Sequence, residues 1–77
     1  MPQVTTEDKS NAALLALNTH YQQINGATIP PDEMEDALTD LIADLQHYAA
    51  RNGLDFEYSR DLAQIHFEKE TRLTLTT

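Results

Sequence analysis

Apolar residues recur at spacings of three and four along most of the chain, a pattern that predicts amphipathic helices. The pattern is clearest in residues 31–52, where it persists for more than two heptads opposite a polar side. The apolar set there consists of Met34, Ala37, Leu38, Leu41, Ile42, Leu45, Tyr48 and Ala49. We expect Leu38, Leu41 and Leu45 to face a core, either within one chain or shared with a second copy.

Two further helices are predicted on either side of this one. The first covers residues 6–25, with Thr6 as its N-cap and Gly26 as its terminator. One face of it carries Leu14, Leu17, Tyr21 and Ile24. The third covers residues 56–71, and Asp55 is a suitable N-cap. Its apolar arc spans about half the circumference, which favours contact with two neighbours.

The connections between the helices carry local start and stop signals. Pro31 suits a first helical position, and the acidic residues after it are favoured at the positive end of the helix dipole. Gly53 is expected to end the second helix, with Leu54 folding back on it. The sequence therefore predicts one all-α domain over residues 1–77, a three-helix antiparallel bundle-like domain that can also form a dimer.

The two ends of the chain carry less regular patterns than the predicted helices. Residues 72–77 alternate apolar side chains with threonine, which is typical of a strand. A short extended C-terminal tail is one interpretation, and an edge that pairs with another chain is the other. We expect residues 1–5 and 74–77 to be flexible.

The charge and the residue usage narrow the classes of function. Thirteen acidic and five basic residues give a formal net charge of −8. Such a surface repels phosphate, so direct binding of nucleic acid is not expected. No cysteine is present, which excludes thiol catalysis and thiolate zinc sites. No apolar run is long enough to cross a bilayer, and no secretory signal is visible, so we expect a soluble, cytoplasmic protein without membrane contact.

The polar side of the second helix is the best candidate for metal chemistry. Acidic residues and a histidine follow one another there at spacings of three or four: Glu33, Asp36, Asp40, Asp44 and His47. Asp40, Asp44 and His47 are candidate ligands of a divalent cation, because carboxylate and imidazole groups one turn apart can share an ion. The alternative is a solvated acidic surface. The pattern predicts no cofactor and no catalytic set.

A second group of residues is a candidate for contact with another protein. Leu15 lies away from the apolar face of the first helix, and Tyr58, Leu62, Ile65 and His66 lie on the wide arc of the third. His66 is either a partly buried, hydrogen-bonded histidine or a pH-sensitive residue at a dimer contact. His20 is expected at the boundary of the first helix's apolar face. Self-association is favoured over a purely monomeric state.

Residues 34–70 resemble a group of short, uncharacterised helical proteins of bacteria, phages and other mobile elements. Their pattern is D-L-x-x-D-L-x-H-x-A, then G-x-D-F, then A-x-x-H-[FY]-x-x-E. The sequence carries the matching segments DLIADLQHYA, GLDF and AQIHFEKE. The resemblance implies no activity, but it points to shared positions at Asp44, His47, Asp55, His66 and Glu70.

A second resemblance is to the all-α nucleotide pyrophosphohydrolases, which bind magnesium through E-x-x-E and E-x-x-D pairs. Glu33-x-x-Asp36 matches the first pair imperfectly, and Glu57 and Asp61 lie four positions apart rather than three.

Three hypotheses of function follow. The leading one is a non-enzymatic accessory or protein-interaction module whose partner is a second copy or another protein. The others are a divalent-metal-binding helical protein and an acidic inhibitor that mimics nucleic acid.

Overall fold

A computed structural model describes residues 4–75 of the chain, with side chains through Arg72. Three α-helices follow one another: α1 over Thr6–Asn25, α2 over Met34–Arg51 and α3 over Phe56–Leu75. No strand occurs within residues 4–75. The predicted all-α, three-helix class is confirmed.

Helix α1 begins with a reciprocal cap, one residue before the predicted N-cap at Thr6. The Thr5 hydroxyl accepts a hydrogen bond from the Asp8 backbone N–H at 3.1 Å, and the Asp8 carboxylate accepts one from the Thr5 N–H at 3.1 Å. Both interactions satisfy donors that a helix start leaves unpaired. At the other end Gly26 adopts φ +70°, and its N–H donates to the Gln22 carbonyl. This left-handed conformation confirms the predicted terminator.

A one-turn 3₁₀ helix over Pro31–Glu33 precedes α2, where the sequence predicted a continuous α-helix. Pro31 occupies its first position, where a missing N–H costs nothing. At its C-terminal end Gly53 has φ +68°, and the Leu54 N–H donates to the Ala49 carbonyl at 2.9 Å. This is the hydrogen bond of a Schellman motif. The Leu54 side chain itself stays exposed.

Helix α3 starts as predicted and ends later than predicted. The Asp55 carboxylate accepts a hydrogen bond from the Tyr58 N–H at 3.0 Å, so Asp55 is the N-cap. The helix continues to Leu75, so an extended tail or strand beginning at residue 72 is wrong for residues 72–75. The rest of the predicted flexible ends, residues 1–3 and 76–77, lies outside the described residues.

Three side-chain pairs relate the helices to one another. His20 on α1 lies 2.7 Å from an Asp44 oxygen on α2, and the neighbouring Tyr21 hydroxyl donates to Glu33 at 3.4 Å. These pairs place residues 33–44 against the C-terminal half of α1. Lys9 forms an ion pair with Glu70, which brings the end of α3 back to the first turns of α1.

The buried core of the described chain is small. Only Leu17, Ala37 and Ala49 are buried among the described side chains, and two of the three are alanines. Leu41 is half-buried, whereas Leu38 and Leu45 are 49% and 50% exposed. The expectation that these leucines face a core within the chain is therefore wrong for Leu38 and Leu45. No described helix is long and apolar enough to span a membrane.

The dimensions of the chain agree with this small core. The radius of gyration is 14.6 Å, where about 11.5 Å is typical of a folded chain of this length. The accessible surface is 6821 Å², where a folded monomer of this mass exposes about 4,700 Å². The helices contact one another without enclosing their apolar faces.

Candidate interaction surfaces

An apolar surface runs along α2. We call it the outer stripe, and its members are Met34, Leu38, Ile42, Leu45 and Tyr48, all exposed. At about 100° per residue these side chains fall within one arc of roughly 120°. The half-buried Leu41 lies within the same arc. No Asp, Glu, Lys or Arg of α2 lies within this arc, although Glu35 borders it next to Ile42, and the buried Ala49 lies inside it.

The inward side of α2 differs from the outer stripe in residue size. Ala37 is 2% exposed, and Asp44 on the same side reaches His20 of α1. An alanine at this position allows α1 and α2 to approach closely. The larger side chains of α2 are consequently the ones that remain exposed.

A second apolar stripe lies on α3. Tyr58, Leu62 and Ile65 are spaced by four and three residues and share one side of the helix. All three are exposed, with Leu62 the least so. His66 lies beside them and is exposed as well. These four predicted interaction residues therefore form one accessible surface, which we call the α3 stripe.

Leu15, the remaining predicted interaction residue, is 70% exposed. It lies on the side of α1 opposite Leu17, so α1 separates it from the small core. No described hydrogen bond or ion pair connects Leu15 to the residues of the α3 stripe. A single exposed leucine is common on protein surfaces and marks no site by itself.

An acidic cleft lies between the end of α1 and the start of α2. It has a volume of about 350 Å³ and is lined by Tyr21, Asn25, Glu33, Asp36, Ala37, Thr39 and Asp40. Partial burial of its phenol raises the pKa of Tyr21 above the ordinary value of 10.0, and the carboxylates of Glu33 and Asp40 raise it further. Tyr21 is therefore a neutral hydrogen-bond donor inside the cleft at physiological pH.

The predicted metal ligands are distributed over different environments. Asp40 lines the acidic cleft, Asp44 is paired with His20, and His47 is exposed on α2. The partner of Asp44 is thus a histidine on another helix, 24 positions away, and not the neighbouring His47. Within the described part of the chain, no group of three or more His, Asp and Glu residues is arranged to hold a metal ion.

The acidic pairs that resemble the pyrophosphohydrolase motif are also separated. Glu33 and Asp36 line the cleft, but Glu57 and Asp61 on α3 do not. Asp61 instead lies 3.6 Å from Arg60, and both side chains are largely exposed. The structure gives the two halves of that motif no common site.

His20 is a residue whose role the sequence did not indicate. Its side chain is 18% exposed and interacts with Asp44, so this residue at the boundary of the apolar face also takes part in the contact between α1 and α2. The available signal was its position on the helix, since His20, Leu17 and Tyr21 share one side of α1. Its partner is too distant in sequence for any local pattern to reveal.

Three of the five positions to which the resemblance of residues 34–70 points have structural partners. Asp55 caps α3, Asp44 joins α2 to α1, and Glu70 joins α3 to α1. His47 and His66 are exposed. No protein-family model, curated protein sequence or solved structure matches the chain. The resemblance of residues 34–70 therefore stays a prediction, and the function is argued from the surfaces described above.

Proposed function

We propose that this protein is a non-enzymatic, cytoplasmic protein-interaction module whose exposed helix surfaces are covered by a protein partner. The observation that carries the proposal is the imbalance between buried and exposed apolar residues. Three residues are buried, while fourteen large apolar side chains are exposed among those described. Monomeric proteins seldom expose large contiguous apolar patches, and such patches mark interaction sites.

The α3 stripe is the surface we assign to a partner other than a second copy. Tyr58 supplies a large apolar ring with a polar tip, a side-chain type enriched where interfaces concentrate their binding energy. Leu62 and Ile65 extend the same side of the helix over two turns. Such a pattern suits docking against an apolar groove or a second amphipathic helix.

The net charge of −8 indicates the kind of partner that associates fastest. An acidic surface attracts basic proteins and repels acidic ones over about a Debye length, near 8 Å at physiological salt. A partner with a basic rim around an apolar groove therefore complements both features. Its association rate is expected to fall as salt concentration rises.

The experiment compares capture of partners by the purified wild-type chain and by two variants. Ile65→Asp places a charge in the α3 stripe, and Leu15→Asp places the same charge at an exposed leucine elsewhere. A partner that binds wild type and Leu15→Asp, but is lost with Ile65→Asp, supports the proposal. Circular dichroism of both variants verifies that the helices are retained.

A monomeric chain that fails to bind a dye specific for exposed apolar surface would contradict the proposal, because its apolar residues would then be internal. Equal recovery of every partner by wild type and Ile65→Asp would show that the α3 stripe does not bind those partners.

A second candidate function is imitation of nucleic acid by the acidic side of α2. The observation that favours it is the row of carboxylates at Asp36, Asp40 and Asp44 near the acidic cleft. A basic DNA-binding protein would then bind with an affinity that falls steeply with salt, and Asp36→Asn with Asp40→Asn would weaken it. Binding that is indifferent to salt and to these substitutions would exclude this candidate.

A further inference from the structure

We infer that the outer stripe of α2 is covered by α2 of a second copy of this chain, packed antiparallel about a twofold axis near Leu41 and Ile42. This inference deepens the proposed function, on which it rests, by naming the partner of one surface. It leaves the α3 stripe free for a different protein.

The first argument is the area available. The accessible surface exceeds that of a folded monomer of equal mass by about 2,100 Å². Stable complexes bury about 800 Å² per partner, and obligate dimers bury more. Even half of the excess would exceed the area that a stable dimer needs. The chain therefore exposes enough surface for the contact of a stable dimer.

The second argument is the composition of the outer stripe. Met34, Leu38, Leu41, Leu45 and Tyr48 alternate spacings of four and three, which is the repeat of a coiled-coil seam. Charged residues of α2 lie outside this arc, so pairing two stripes leaves Glu35 at the rim of the contact and no charge at its centre. Leucines at the centre of the seam suit interlocking packing between helices. A surface of this kind is complementary to itself.

The third argument, charge complementarity, sets the orientation. The first turns before and within α2 carry Asp32, Glu33, Glu35 and Asp36, and the last turn carries Arg51. Parallel pairing would bring the acidic ends of two copies together, where like charges repel. Antiparallel pairing separates the acidic ends, places each near the basic end of the other copy, and opposes the two helix dipoles.

The register follows from the distribution of large side chains. An axis between Leu41 and Ile42 places Leu38 of one copy opposite Leu45 of the other. In this register the exposed leucines of the two copies meet near the centre of the contact. A twofold interface requires such reciprocal pairs.

The first experiment measures the mass of the chain by analytical ultracentrifugation. Wild type is expected at twice 8.7 kDa. Leu38→Lys is expected to raise the dimer dissociation constant by about a hundredfold or more, because each dimer would bury two ammonium groups. Leu15→Lys is the matched control, since it adds the same charge at an exposed leucine of α1, and it is expected to leave the dimer intact.

Disulfide trapping tests orientation without disturbing the charge, and the chain has no cysteine of its own. Leu38→Cys and Leu45→Cys are prepared separately, then mixed and oxidised. In the proposed register two copies of position 38 lie about 10 Å apart along the axis, too far for a disulfide. Mixed samples are therefore expected to cross-link much faster than either variant alone.

The outcomes separate this inference from the function on which it rests. A dimer whose single variants each cross-link to themselves would show parallel pairing and overturn the orientation. A dimer that Leu38→Lys leaves intact and that never cross-links would show a different interface. A monomer that binds the apolar dye would overturn the dimer while the interaction module stands. A monomer that does not bind the dye would overturn both.

Discussion

Two parts of the surface of α2 differ in the size of their apolar residues and in their environment. On the side toward α1, Ala37 is nearly inaccessible, and Asp44 is held by His20. On the other side Leu38 and Leu45 keep about half of their surface exposed. Small residues are inside and large ones are outside, the reverse of the usual order in a monomer.

This difference indicates how the chain divides its apolar surface. Alanine at the inner side lets α1 and α2 approach, and the polar pair between His20 and Asp44 gives that contact a specific geometry. The larger apolar side chains of α2 would stabilise the fold more if buried, but most of them stay exposed. The folded chain therefore leaves most of its described large apolar side chains on the surface, whereas Leu17 of α1 is buried.

The sharpest way to test the inner contact is to compare two leucines on α1. Leu17 is 9% exposed and lies between His20 and Tyr21 on the helix surface, whereas Leu15 is exposed. Leu17→Ala is expected to lower the free energy of unfolding by about 2–3 kcal/mol, through lost burial and a residual cavity. Leu15→Ala is expected to change it by no more than about 0.5 kcal/mol.

Urea denaturation at one fixed protein concentration measures both values, since association also contributes to stability. Equal effects of the two substitutions would show that α1 does not pack through the side that carries Leu17.

A second test asks whether the close approach at Ala37 matters. Ala37→Leu is expected to destabilise the fold by about 1–3 kcal/mol, because the larger side chain must push α1 away. Ala43→Leu adds the same atoms on the exposed polar side of α2. Helix propensity predicts that it changes the free energy of unfolding by only about a few tenths of a kcal/mol. Thermal unfolding followed by circular dichroism compares the two. If Ala37→Leu left the stability unchanged, the contact between α1 and α2 would have space for a larger side chain at this position.

The sequence predicted the features of the fold that depend on neighbouring residues. Gly26 and Gly53 adopt the expected left-handed conformation, and Asp55 caps α3, because each acts within one turn. The observed N-cap of α1 is Thr5 and not the predicted Thr6. The two residues are both threonines, so the sequence alone does not distinguish between them as caps. The alternation from residue 72 onward predicted a strand, but α3 continues to Leu75. Adding residues to an existing helix is easier than forming an unpartnered strand.

The sequence did not predict how much of each helix face would be covered. Periodicity identifies the apolar side of α2, but the same pattern describes a core within one chain and a seam between two. The His20–Asp44 and Lys9–Glu70 pairs join residues far apart in the chain, so no local spacing signals them. For Asp44 the spacing favoured His47, one turn away, and the fold supplied a different histidine.

The third prediction concerns the polar pair on the inner side of α2. A double-mutant cycle with His20→Ala and Asp44→Ala is expected to give a coupling energy of about 0.5–1.5 kcal/mol, typical of a hydrogen-bonded pair. The same cycle with His47→Ala and Asp44→Ala is expected to give less than about 0.5 kcal/mol, as for exposed neighbours on one helix. Larger coupling to His47 would show that the sequence pattern, and not the fold, identifies the partner of Asp44.

The fourth prediction concerns α3, whose end is tied to α1 by Lys9 and Glu70. Both side chains are more than 40% exposed, so Lys9→Gln is expected to cost only about 0.2–1 kcal/mol. This loss of stability is expected to shrink as salt is added, because dissolved ions weaken the attraction between the two exposed side chains of the wild-type chain. Hydrogen exchange of α3 amides at low and high salt measures the effect. A loss that is independent of salt would mean that Lys9 acts through packing of its hydrocarbon stem.

The smallest effect is confined to alkaline solution and concerns the wall of the acidic cleft. The pKa of Tyr21 is raised above 10.0 by partial burial and then by Glu33, so the folded state holds this proton more tightly than the unfolded state does. The stabilisation is complete below pH 10.0 and is lost as pH rises through the pKa of the folded state. Wild type should therefore lose more stability than Tyr21→Phe above that pH. Absorbance titration of the tyrosinate should show Glu33→Gln moving this ionisation back toward the ordinary value, while Glu57→Gln, on another helix, leaves it in place. An unchanged titration in Glu33→Gln would mean that burial and Asp40 raise the pKa and that the Glu33 carboxylate does not act on the phenol.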